Sequence, residues 1–388
     1  MDIKELGKKY KDYVIEMRRE FHMNPESSLE EFRTSKRVKE ELDKLGIPYE
    51  ELAGTGVLAT IKGSQDGKTV ALRADMDALE IQETNDVEYK SQVDGKMHAC
   101  GHDGHTAMLL GAAHMLMDIK DRIKGEVKLI FQPAEEIAEG AKRMIAESDF
   151  MDSVDSVFGI HLWSNLETGK VSVEEGPRMA AADIFKIEVK GQGGHGSMPD
   201  QTVDSVVVGS SIVMNLQSFV SREMSPLDSV VVSIGSFHSG TRFNVIAGEA
   251  TLDGTARCFD PEIRKKLPES IERISKGIAD AYGADVKVEY KHGTPPTIND
   301  KESSKIAEAA VEKLAGKDSL VEMEKTTGGE DFAFFLEKAP GAFAFVGIRN
   351  EEKGAHYPHH HDKFDMDEDA LEIGSMLHVQ YALDFLNK

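Results

Sequence analysis

Cysteine is scarce in this chain, with two in 388 residues. One of them, Cys100, stands in MHACGHDGH (97–105), where three histidines and an aspartate share nine positions. Cys100 and His102 are two apart beside two glycines, so on extended backbone both heads can turn to one point. Thiolate and imidazole are good ligands for zinc-like divalent ions. There is no Cys-x-x-Cys pair, which leaves little room for thiol redox chemistry. Taken alone, the pair equally suits a buried cysteine beside surface histidines. The adjacent carboxylates of QPAEE (132–136) can divide labour: one binds a cation while the other accepts a proton just outside the shell. Their plainer reading is a helix start, where the macrodipole favours glutamate. His161 follows an apolar run in FGIHLW, and HYPHHHDKF (356–364) offers four imidazoles in six positions. Spacing does not say which of those rings binds. The conjunction carries more than any member, because a metal hydrolase needs several protein ligands, an open position and a nearby base.

These groups must be positioned by a scaffold, and the pattern supplies one. The first fifty residues read as helical, with EEFRTSKRVKEELDKLG stopping at Gly46. Then TVALRA (69–74), GEVKLIFQP (125–133) and VDSVFGI (154–160) read as strands, alternating with helices such as TAMLLGAAHMLMDI (106–119) and one beginning in AEEIAEGAKRMIAES. This alternation predicts an α/β domain with a mostly parallel sheet. Asp75 and Asp77 follow the first strand, Glu135 and Glu136 the second, and His161 the third. Ligands of open α/β sheets bind outside the carboxyl ends of strands, so three strand ends converge on one edge.

From residue 183 the rhythm changes to β-α-β-β-α-β. DIFKIEVKG, a helix over 205–221, two strands over 229–240 and 249–258 joined by a turn, a helix over 261–283 and DVKVEYK make a ferredoxin-like unit. Pro268 would kink the second helix or mark its start. HGTPPT (292–297) has linker composition. The expected domains are therefore 1–182 with 293–388, interrupted by an inserted α+β domain over 183–292. A helix near SSKIAEAAVEKLAG, the loop TTGGEDF, the strand GAFAFVGI and a last helix from about Glu368 complete the first.

The net charge of −23 argues against nucleic acid or an anionic membrane as partner. No apolar run approaches the ~18 residues that span a bilayer. The charged N-terminus has no secretory pattern, and a reducing cytoplasm is the expected home.

LRADMDALEIQE, MHACGHDGHTAMLLGAA, FQPAEE, GGHGSMPD, FNVIAGEATLDGTAR and GGEDFAFF together resemble one family. It is the amidohydrolase branch of the dinuclear-metal aminoacylase and carboxypeptidase superfamily. That branch includes hippurate hydrolases, indole-acetyl-amino acid hydrolases and N-acetyl-diaminopimelate deacetylases. The resemblance runs from Leu72 to Asp367 and implies a catalytic α/β domain with an inserted ferredoxin-like lid that forms a homodimer. It implies two divalent metal ions per subunit, zinc, manganese, cobalt or nickel. Cys100 and His102 match the first ligand pair, the thiolate being shared between the ions. Glu136, His161 and His360 match the remaining ligands, with His359 and His361 as neighbours without that role. Glu135 matches the catalytic base. Asp75 and Asp77 match acidic positions that orient ligands. His195 resembles a group that crosses to the second subunit and polarises the scissile carbonyl. Asn244 and Arg257 resemble residues that hold the substrate's carbonyl region and α-carboxylate, although a turn residue and a solvated edge charge are their respective plainer readings. Glu80 and Ala247 stand where the family usually has proline.

The resemblance thus implies hydrolysis of N-acyl amino acids to an amino acid and a carboxylic acid. Three alternatives are a dipeptidase or carboxypeptidase of the same superfamily, a metal-independent hydrolase with Cys100 as nucleophile and His102 as base, and a non-enzymatic ligand-binding module.

Overall fold

The computed structural model describes residues 2–388. It forms two compact units, one of Met1–Gly176, Ile298–Glu324 and Asp331–Lys388, the other of Pro177–Thr297 and Lys325–Glu330.

The first unit is built on a seven-stranded sheet. In spatial order the strands are Tyr49–Leu52, Gly56–Lys62, Lys124–Gln132, Gln65–Asp75, Ser156–Glu167, Gly341–Arg349 and Val171–Ser172. The four central strands are parallel, and the outer ones pair antiparallel. The parallel strands are buried along nearly their whole inner length, as sheets covered on their faces require. Helices Ile3–His22, His102–Asp118 and Asp369–Leu386 pack on one another. Their side chains share one core with Leu72, Leu129, Phe158 and Ala344 of the sheet. His102–Asp118 is buried nearly all round, which fits its lack of a polar stripe.

Three local expectations change. The strand carrying His161 does not end there. It continues to Glu167, because its parallel ladder with Gly341–Arg349 sets His161 opposite Phe345 and extends beyond. Glu135 and Glu136 do not start a helix; they sit in a turn, and the helix begins at Gly140. The apolar helix begins at His102 itself, after Gly101 in the left-handed region at φ 91°, a conformation glycine takes without steric cost.

The second unit has the expected β-α-β-β-α-β order. Its antiparallel sheet runs Val230–Ser239, Glu249–Cys258, Ala181–Lys190, Asp285–Thr294. Helices Ser205–Ser218 and Pro261–Tyr282 share its core with Phe185, Ile187 and Leu252. The second helix starts at Pro261, capped by Asp260, and runs through Pro268. The link between the middle strands is more than a turn, since Val245–Ile246 within it pairs with Gly194–His195. HGTPPT is not a free linker: the strand reaches Thr294, and Thr294 and Thr297 are buried. Among the described residues no helix is long and apolar enough to cross a membrane.

Candidate metal centre

Five side chains of the first unit gather around one point. Nitrogen, sulfur and oxygen donors of Cys100, His102 and His161 lie within 4.8 Å of one another, and so do those of Cys100, Glu136 and His360. Cys100 belongs to both groups. Its Sγ is 3.6 Å from His161 Nε2, and Glu136 Oε1 is 3.5 Å from His360 Nε2 and 3.9 Å from His102 Nε2.

The tautomers are set from outside. His102 Nδ1 donates to Asp77, to the backbone oxygen at 2.9 Å and to Oδ1 at 3.2 Å, so Nε2 faces the centre and is the nitrogen a cation would meet on displacing its proton. His161 Nδ1 donates to Leu162 O at 2.7 Å, so its Nε2 faces the centre too. His102 Nε2 and Glu136 Oε1 are buried and have no hydrogen-bond partner. Buried polar atoms without partners are costly, and these two face a sulfur and two imidazoles. A divalent cation satisfies every one of these atoms, so the donor set fits a metal.

The electrostatics point the same way. Burial, then the neighbouring Glu136 and Glu135, pushes the Cys100 thiol far above its ordinary value. Activated nucleophilic cysteines sit in electropositive surroundings, so this environment opposes a thiol hydrolase. Burial pulls His102 down, but Asp75 and the Asp77 hydrogen bond outweigh it and hold the ring up at about 10. Burial drives His161 well below the usual histidine value.

Asp75 and Asp77 both touch this shell. Asp77 Oδ1 and Oδ2 accept from the backbone N–H groups of Glu135 and Glu136, each at 3.1 Å, and Oδ2 also from Ser28 Oγ at 2.6 Å. Asp75 Oδ2 is 3.7 Å from His102 Nε2 and accepts from Arg73 Nη1 at 2.6 Å. Burial opposes its ionisation, yet His102 and Arg73 hold the carboxyl well below its usual range.

Of the histidine run, His360 alone lies with the donors. It takes a left-handed backbone at φ 63°, and its N–H donates to Ala99 O at 2.8 Å. His359 is turned away, donating from Nε2 to Leu162 O at 2.9 Å, and His361 pairs with Asp362.

Sequence reasoning left several contributors unassigned. His105, three residues after His102 on the same helix, donates from Nδ1 to Asp75 at 2.6 Å and accepts from Leu162 N–H at 2.9 Å. It thereby ties the strand behind His161 to Asp75. Its spacing from His102 was the available signal. Asp331 accepts from Arg73 and Gln132, and Glu31 accepts from Ala134 N–H at 2.9 Å. Asp331 lies in the GGEDFAFF stretch that carries the resemblance, while no local pattern marks Glu31.

His195, Asn244 and Arg257 belong to the second unit. His195 is exposed, and its Nδ1 accepts from the backbone N–H and hydroxyl of Ser197, so a neutral ring carries its proton on Nε2. Gly196 of its loop allows close backbone approach: a side chain there would meet Asn244 O at 2.9 Å. His195 and Asn244 line a concavity of about 1010 Å³ with His238 and Lys190, and Arg257 does not line it. Arg257 Nη1 donates to Thr255 Oγ1 and to Ala256 O. Half-buried, it pairs with no carboxylate among the described residues.

The sequence profile of peptidase family M20/M25/M40 matches residues 71–384. The chain is 46% identical to a protein of Saccharolobus solfataricus named thermostable carboxypeptidase 2, over 100% of this chain and 98% of that one. It is 40% identical to a Bacillus subtilis protein named N-acetylcysteine deacetylase, covering 95% and 96% of the two chains. A solved structure from Bacillus subtilis, described as a dinuclear metal binding peptidase from the M20 family, superposes with a TM-score of 0.87 at 37% identity, over 98% and 99% of the two chains.

Proposed function

Since the chain belongs to peptidase family M20/M25/M40 and is a hydrolase of that family, we propose that it cleaves the amide bond of N-acyl amino acids. The observation that carries this reading is the gathering of five metal-competent side chains, two of them with buried unpartnered atoms at His102 Nε2 and Glu136 Oε1, with the half-buried Glu135 at the rim. Cys100, His102, Glu136, His161 and His360 would hold two divalent cations, Cys100 belonging to both groups of donors. When bound, such ions supply Lewis acidity toward a carbonyl oxygen and make water more acidic.

The chain's own residues do the rest. Glu135 accepts a proton from the attacking water as the new carbon–oxygen bond forms. The same carboxyl passes that proton to the nitrogen as the carbon–nitrogen bond breaks, giving a carboxylic acid and a free amino acid. General acid–base help of this kind is worth roughly 10²–10⁴ in rate. His195 offers its Nε2 proton to the carbonyl oxygen, and Asn244 orients the same region. Arg257, a guanidinium without a carboxylate partner, suits the substrate's α-carboxylate.

We place His195 in the active site of a second copy of the chain. Helix Ser205–Ser218 supports a homodimer through this unit. It has no charged residue over its length and exposes Val206, Val207 and Met214 beside the open edge strand Val230–Ser239.

A carboxypeptidase is the second reading, favoured by the name of the 46%-identical relative. Both substrates place a free carboxylate next to the scissile amide. Metal-reconstituted protein is incubated with N-acetyl and aromatic-acyl amino acids and, separately, with dipeptides and blocked peptides, and freed amines are detected by mass spectrometry. Faster release from the acyl amino acids is expected. Faster release from the peptides reverses the order of the two readings, and turnover that survives complete chelation removes both.

A further inference from the structure

We infer that Glu31 is a positioning residue for Glu135 and Glu136, acting through the backbone of the turn that carries them. The inference rests on the hydrolase reading above for its link to turnover.

Three successive N–H groups of that turn end on carboxylates. Glu135 and Glu136 donate to the two oxygens of Asp77, and Ala134 donates to Oε1 of Glu31 at 2.9 Å. Ala134 lies in the left-handed region at φ 54°, as does Ala138 at φ 55°. A residue with a Cβ holds such a conformation only when its surroundings over-determine it. Here they do. The oxygen of Ala134 accepts from Glu139 and Gly140 N–H, and Ala138 N–H closes onto Glu135 O at 2.7 Å. The oxygen of the preceding peptide, on Pro133, accepts from Gln132 Nε2 at 3.3 Å. Glu31 holds the opposite side of that same peptide.

The carboxylate is an expensive choice for this task. Glu31 is fully buried and pairs with no cation among the described residues. Its donors are all neutral: Leu29 N–H at 2.9 Å, Ala134 N–H at 2.9 Å and Thr55 Oγ1 at 2.6 Å. Capping of the helix that follows needs no such burial, because the N–H groups of Arg33 and Thr34 are taken by Glu26. Leu29 itself is left-handed at φ 67°. The segment before the helix is therefore folded back to bring one acidic group to Ala134. Misplacement of a reacting group by about 1 Å can cost 10²-fold in rate, and Glu135 is one residue away.

Two substitutions separate the outcomes. Glu31→Gln keeps its amide oxygen for Leu29 and Ala134, and its amide N–H₂ can donate to the Thr55 hydroxyl, which reverses to accept. Its kcat is expected within about threefold of wild type. Glu31→Ala frees the Ala134 N–H. Its kcat is expected to fall by about 10- to 100-fold with KM little changed. Its zinc affinity, read on the metal-free protein by competition with a chromophoric chelator, should weaken by about 10- to 100-fold because Glu136 shares the turn. Thr55→Val removes a donor from the same carboxylate without touching Ala134. It should lower the melting temperature while leaving kcat and zinc affinity near wild type. Should Glu31→Ala fail to fold, Glu31→Asp, one methylene shorter, carries the test. Unchanged kcat and zinc affinity in the folded Ala or Asp variant overturn the inference, as does a Gln variant as impaired as Ala. Weakened zinc affinity, in a protein that hydrolyses no amide tried, keeps the positioning role and rejects the substrate reading instead.

Discussion

His102 and His195 live under opposite conditions. His102 is buried at the first position of an apolar helix, with its ring fixed by Asp77 and its free nitrogen 3.9 Å from Glu136. His195 stands exposed on a two-residue strand, with Ser197 as its hydrogen-bond partner. Around the first, each side chain is held by a second, and often that one by a third: Leu162 N–H to His105, His105 to Asp75, Arg73 to Asp75 and Asp331. Nothing comparable surrounds the second. The contrast separates a site whose geometry is fixed in advance from an exposed group held by one near neighbour. Such pre-organisation is what a cation needs, while a group with the role proposed for His195 can wait for its substrate.

The sharpest way to break this comparison is at the turn. Glu135→Gln should reduce kcat by roughly 10²–10⁴ while zinc content stays at the wild-type level. Glu136→Gln should lose bound zinc as well. Metal analysis beside steady-state kinetics checks both, and the opposite pattern would exchange their roles. Next in size, His195→Ala should lower kcat by about 10²–10³ with full metal content. Mixed after subunit exchange with Glu135→Gln, it should regain part of the activity through hybrid dimers. No recovery would place both groups in one subunit's site. Smaller still, Arg257→Ala should raise KM by about 10- to 100-fold, the worth of a charged hydrogen bond, with kcat little affected. Equal losses on substrates with and without a free carboxylate would contradict that assignment.

The last prediction asks whether the second unit has a fixed centre of its own. Asp183 is buried and accepts from Arg264, Tyr290 and the Gly293 N–H. Burial opposes its charge, but the Arg264 hydrogen bond and charge win and depress its carboxyl. A depressed carboxyl contributes stability fully present above its unfolded value, about pH 4, and lost as the pH falls through its folded value. Asp183→Asn should cost about 3–5 kcal/mol at neutral pH. It should also flatten the acid side of the stability curve, measured by urea unfolding between pH 2 and 7. An unchanged acid slope would show that Asp183 does not carry it.

Much of this was legible because ligands and strands are local patterns. MHACGHDGH and QPAEE placed three of the five donors, Cys100, His102 and Glu136, and the apolar runs placed the central strands to within a few residues. What escaped depends on partners distant in sequence. His161 reads as a strand end because HLWSNLE turns polar after it, yet pairing with Gly341–Arg349 continues the strand. HGTPPT has the composition of a linker, but Thr297 is completely buried. Glu31 reads as one acid among several ahead of a helix. Its importance appears only through Ala134, 103 positions later, and through a left-handed φ that alanine gives no reason to expect. Choosing His360 from its run likewise needed the family likeness, because its backbone conformation is invisible in the string HHH.

Asp77 grips the His102 ring with one hand and the amides of Glu135 and Glu136 with the other. Filling the centre with a divalent cation such as zinc should therefore stiffen the segment bearing Glu135, the proposed proton acceptor. Deuterium uptake at those amides should slow when the ion is added, in the absence of any substrate.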